Sequence, residues 1–132
     1  IDPSFNIDGV SYATFVPSMA GVKEEITGVM QLDYDKEKKA YFSAIDFNNL
    51  KNGSDMWVFS RIIDKDIEKI AVLLTPNAPA RAWYTKDKEK RRIIFYSDKA
   101  EEVSYRMSAP RFDYKEWPAL RKDQTIKGFE VP

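Results

Sequence analysis

Residues 54–98, SDMWVFSRIIDKDIEKIAVLLTPNAPARAWYTKDKEKRRIIFYSD, constrain the fold more than any other part of the chain. They hold its densest apolar material, cut by charged and proline-containing punctuation into runs the length of a β-strand and rich in Ile, Val, Trp, Tyr and Phe. Residues 56–63 open apolar on both faces, which predicts a central strand. Residues 81–85 and 92–97 read as two strands around the charged tip Lys86-Asp-Lys-Glu-Lys90. Between them lies the ambiguous part. Residues 70–75 fit a return strand, yet Ile63, Ile67, Ile70 and Leu74 follow helical spacing, Asp64 is a possible cap and Pro76-Asn77 a stop. Strand is favoured there, with a helix near residues 64–74 as the alternative.

The rest of the chain supplies shorter runs to pack around this block. Residues 1–9 read as an extended lead-in with a turn at Asp8-Gly9, and residues 10–16 as a first strand. Residues 25–34 alternate cleanly, with Ile26, Met30, Leu32 and Tyr34 on one face, and predict a strand that turns at the charged tip 35–39 and returns over 40–47. The tips DKEKK and DKEKR lie in the loosely similar stretches YDKEKKAYFS and YTKDKEKRRIIFYS, which suggests two similar hairpins and not a repeat architecture. Val103, Tyr105, Met107 and Ala109 alternate with polar residues and predict a strand, against a rival helix capped at Asp98. Residues 110–124 read as a wrapping segment with a helical turn before Pro118, and residues 126–131 as a last edge strand. The expectation is a mainly β, single-domain antiparallel sandwich or small barrel of about eight strands over residues 1–132, with an α+β fold as the alternative.

Composition narrows function by exclusion. Leucine occurs five times, against fifteen Tyr and Phe, which favours sheet over helix. There is no Cys and no His, so disulfides, thiol catalysis, Cys or His zinc sites and a Ser-His-Asp triad are all excluded. Twenty-one basic and twenty-one acidic residues cancel, which weakens a nucleic-acid reading because phosphate binding draws on a positive excess. No run approaches the length of a membrane span, so no membrane insertion is expected. The chain begins at Ile1, as a processed product or an excised piece would, and composition slightly favours an extracellular, envelope or virion setting over the cytoplasm.

Candidate sites follow from residue type. The alternating acids Asp33, Asp35, Glu37 and Asp64, Asp66, Glu68 lack the Gly and Glu that a calcium loop of the EF-hand kind requires, so no metal and no cofactor is expected. Asn52-Gly53-Ser54 fits a glycosylation acceptor, but a plain turn accounts for it. Paired-carboxylate hydrolysis is permitted, though no pair stands out among the acids. Trp57, Trp83 and Trp117, with Arg81 and Tyr84, are candidates for a carbohydrate-stacking surface, because flat aromatic faces suit pyranose rings. Lys86, Lys88, Lys90, Arg91, Arg92 and Tyr96 form the basic and aromatic mixture of a single-strand nucleic-acid binder. Exposed edge strands and extended termini favour a third class, a non-enzymatic domain that binds a protein partner or self-assembles by strand addition.

Overall fold

The structure, a computed structural model, describes residues 2–132. In chain order, β1 (Ser4–Ile7) and β2 (Val10–Ala13) are followed by β3 (Lys23–Gln31), β4 (Asp33–Asp35), β5 (Ala40–Asp46) and a helix α1 (Asp55–Ile62). Then come β6 (Ala71–Pro76), β7 (Ala82–Asp87), β8 (Arg92–Ser97) and β9 (Glu102–Pro110), with 3-10 turns at Ile67–Lys69 and Tyr114–Glu116. β1 and β2 form a hairpin of their own, while β3-β9-β6 and β4-β5-β8-β7 form two antiparallel sheets with open edges. The fold is therefore mainly β and sandwich-like with one helix, as expected, with nine strands among the described residues, and the sheets do not close into a barrel.

The core lies between the two sheets. β8 turns Ile93, Phe95 and Ser97 inward, and β9 turns Val103, Met107 and Ala109 inward; all six are buried. Tyr105 reaches across from β9 to Phe95, with ring centroids 5.5 Å apart. Ser97 is the sole buried polar residue among those described, and it is satisfied twice. Its Oγ donates to the Arg81 carbonyl (2.8 Å) and accepts from the Ala100 N–H (3.0 Å), as burial requires.

Residues 56–63, expected as a central strand, form the helix up to Ile62, and Ile63 beyond it bridges to Arg111. Ser54 caps the helix, its side chain accepting from the Trp57 N–H (3.3 Å), with Asp55 in the first turn and Arg61 in the last. Met56, Phe59 and Ile63 share one stripe against the core, a helical period that apolar residues on the other faces obscured. The α1 stripe packs against β3. The helix considered for residues 64–74 is absent. Asp64 Oδ1 accepts from the Asp66 N–H (2.9 Å) and Asp66 Oδ1 from the Glu68 N–H (3.0 Å), which winds the chain into successive turns before β6 starts at Ala71.

The alternation over residues 25–34 is real, but it spans two strands. Leu32, buried, separates β3 from β4 and carries the chain from one sheet to the other. Ile26, Gly28 and Met30 pair with β9, while Tyr34 pairs with Tyr41 on β5. The same parity keeps to one face while the partner strand changes, although Tyr34, on the edge strand β4, is exposed. The two similar tips prove to be the same turn. Asp35 Oδ1 accepts from the Lys38 N–H (3.3 Å) and Asp87 Oδ1 from the Lys90 N–H (3.1 Å), three residues on in each case. Each loop ends on a left-handed residue, Lys39 (φ 52°) or Arg91 (φ 54°). The wrapping segment contains the expected helical turn before Pro118. Residues 126–131 are not a strand: they pair with no strand among the described residues, although both sheets have open edges.

Candidate interaction surface

The residues singled out for carbohydrate do not converge. Trp57 lies on α1, half-buried, with the Arg61 guanidinium 5.4 Å from its ring centroid. Trp117 follows the last 3-10 turn and donates from Nε1 to Asp113 Oδ2 (3.0 Å). Asp113 also accepts from Arg111 Nε (2.5 Å) and Nη2 (3.2 Å), and this guanidinium holds its carboxyl below the usual aspartate range. Arg81 enters β7 with its backbone N–H donating to Asp98 Oδ1 (2.9 Å) and its Nε 3.7 Å from Asp98 Oδ2. Trp83 and Tyr84, adjacent on β7, point to opposite faces, as strand geometry dictates. They share only a shallow groove of about 290 Å³ with Val72, Leu73, Leu74 and Ala82.

Trp83 belongs instead to an aromatic row that crosses the outward face of the four-stranded sheet. The register sets Phe42, Tyr96 and Trp83 side by side. The Tyr96 and Trp83 rings stack at 5.6 Å and 12°, Phe42 stacks on Tyr96 at 6.4 Å, and Lys38 Nζ lies 4.4 Å from the Phe42 ring. Such pairs add about 0.5–1.5 kcal/mol each beyond area burial. Both faces of Tyr96 are engaged by its neighbours, so a nucleic-acid base can stack there only by opening the row.

The basic residues around Tyr96 are similarly occupied by their own chain. Lys86 Nζ donates to the carbonyls of Ile70 (2.5 Å) and Glu68 (3.1 Å), tying β7 to the turn before β6, and burial lowers its pKa. Lys88 lies 4.0 Å from Asp66, Arg92 lies 3.6 Å from Asp46, and Arg91 donates from Nη1 to the Lys65 carbonyl (2.7 Å). Lys90 carries its side chain on the β7–β8 tip. Among the described residues, no carboxylate group comes together in a way that could hold a metal ion, and no helix is long and apolar enough to cross a membrane.

A surface marked by neither tryptophan nor basic residues lies near the N-terminus. In the β1–β2 hairpin, Phe5 pairs with Tyr12 and Ile7 with Val10 on one face, while Ser4, Asn6, Ser11 and Ala13 take the other. Asp8 (φ 51°) and Gly9 (φ 78°) are both left-handed, the geometry of a two-residue turn matched to strand twist. The base is tied by Thr14, whose N–H and Oγ1 both donate to the Pro3 carbonyl (3.1 and 2.6 Å), and by the Val16 N–H donating to Asp2 Oδ1 (2.8 Å). The ribbon is thus internally complete and amphipathic, yet every residue of both strands is exposed. Phe15, Val16 and Met19 continue the apolar exposure, and Trp117, Leu120, Ile126, Phe129 and Val131 repeat it at the other end of the chain. The signal was legible: an Asp-Gly turn flanked by alternating FNI and VSY. Comparison with known protein families, with curated proteins and with solved structures finds no match.

Proposed function

We propose that this chain is a non-enzymatic assembly domain of a structural protein, of envelope, secreted or virion type, in which the N-terminal ribbon joins one copy to another. The single observation that carries this reading is the unsupported apolar face of Phe5, Ile7, Val10 and Tyr12. A two-stranded ribbon is marginal in water unless it packs against something. Each of these half-exposed side chains retains roughly 1 kcal/mol of burial still to be gained. The occupant proposed is the same face of a second copy, because a two-fold contact makes a self-complementary patch its own partner. The formal net charge of zero leaves no long-range repulsion between copies.

Sedimentation across a concentration series tests this reading. The wild-type chain is expected to associate reversibly, and the double variant Phe5→Ser/Tyr12→Ser to weaken association by at least about tenfold, equivalent to ~1.4 kcal/mol. Its unfolding free energy should change by less than about 1 kcal/mol, because both residues lie outside the core. A wild-type chain that stays monomeric at the highest concentration overturns the reading. So does a double variant that associates as the wild type does.

A further inference from the structure

We infer that the cleft between the C-terminal end of α1 and the β7–β8 tip binds a phosphomonoester carrying an aromatic group. The cleft has a volume of about 530 Å³, within the range of small-molecule sites, and is lined by Phe47, Asn48, Ser60, Arg61, Ile63, Lys65, Arg91 and Phe112. Three of those residues are cations and none is an acid. Arg61, Lys65 and Arg91 are not among the cations that lie within ion-pair distance of a carboxylate, so the charge of the cleft is not neutralised from its own walls. Arg61 in the last helical turn is accounted for by the helix dipole. The dipole explains neither Lys65 nor Arg91.

Arg91 is fixed before any ligand arrives. Its left-handed backbone closes the tip, its carbonyl accepts from the Phe47 N–H (2.9 Å), and its Nη1 donates to the Lys65 carbonyl. One of five guanidinium N–H donors is thereby used, and the remainder stay oriented at little entropic cost. At the C-terminal end of the helix the Ile62 carbonyl already accepts from the Phe112 N–H (3.0 Å), which blunts its repulsion of an anion. The same bond pins Phe112 at the rim with its side chain largely exposed, although core packing gives it no role. Phe47 forms the opposite, buried wall. Phosphate among three cations and an aromatic ring between Phe47 and Phe112 satisfy both halves of the cleft. A neighbouring groove of about 410 Å³ shares Lys65 and Arg91 but sets Asp66 and Glu89 beside its third cation, Lys88, so its charge is largely cancelled and it attracts an anion less than the first does.

Titration calorimetry of the intact chain at low ionic strength, with phenyl phosphate, inorganic phosphate and phenol as probes, tests the inference. Phenyl phosphate is expected to bind saturably and at least about fivefold tighter than inorganic phosphate, with no binding of phenol alone. Arg61→Gln and Lys65→Gln should each weaken phenyl phosphate by about tenfold, and Phe112→Ser should weaken phenyl phosphate while leaving inorganic phosphate unchanged. All three positions are exposed, so an unshifted melting temperature will verify that each variant is folded. The inference is overturned by absence of saturable binding, by equal affinity for the two phosphates, or by affinities unchanged in the Arg61 and Lys65 variants.

Discussion

Replacing Phe95 by alanine is expected to lower the unfolding free energy by about 3–5 kcal/mol, the largest effect of any single truncation in this chain. Phe95 is wholly buried at the centre of β8, flanked by β5 and β7, and is the residue through which the two sheets meet. Its ring packs on Tyr105 of the opposing sheet, so truncation removes apolar area and opens a cavity that both layers line. Neither sheet can collapse into that cavity without losing register, which places the cost in the upper part of the range for buried aromatics. Denaturant unfolding should report a lower midpoint with an unchanged slope. A loss below about 1.5 kcal/mol would mean that the layers do not depend on this contact.

Gly28→Ala is expected to cost about 1–3 kcal/mol although it adds one methyl group to a strand. The reason is the same aromatic contact seen from the other side. A Cβ on Gly28 would lie 2.5 Å from the Tyr105 hydroxyl oxygen, 2.7 Å from Cζ and 2.9 Å from Cε1. Gly28 and Tyr105 are register partners on β3 and β9, and the hydroxyl end of the ring covers the glycine. The ring cannot swing away freely because its other side rests on Phe95, and its burial pushes the phenol pKa up. The double variant Gly28→Ala/Tyr105→Leu should be less destabilised than the sum of the two single changes, by more than about 0.5 kcal/mol. Additive costs would show that the clash is relieved elsewhere.

The β character was legible because alternation and residue type agree wherever a strand has one wet face, as in β3 and β9. The helix was missed because residues 56–63 place apolar side chains on nearly every face. In a segment that short, a cap is the better guide than the period, and Ser54 followed by Asp55 was that cap. The sheet switch at Leu32 leaves no trace in a pattern of inside and outside, since parity is conserved across it and only the pairing changes. The last strand failed for a related reason: residue type marks a segment as fit for an edge, but the sequence does not show whether it reaches one, and residues 126–131 leave the open edges unpaired.

The functional residues were less legible than the fold. Trp57, Trp83 and Trp117 stand out by type, yet three separate elements hold them apart. Lys86 and Arg91 read as surface charge until the carbonyls they bind are known. The β1–β2 ribbon was readable as a turn, but its lack of any covering element is a property of the tertiary structure alone.

Amide hydrogen exchange over residues 4–13, followed from dilute to concentrated solution, tests the central claim most directly. A ribbon with no support from its own chain should exchange quickly when dilute. If its apolar face is covered by a second copy, exchange there slows as concentration rises, while the buried amides of β8 and β9 keep the same rates throughout. Rates over residues 4–13 that are slow when dilute, or that do not change with concentration, contradict the account.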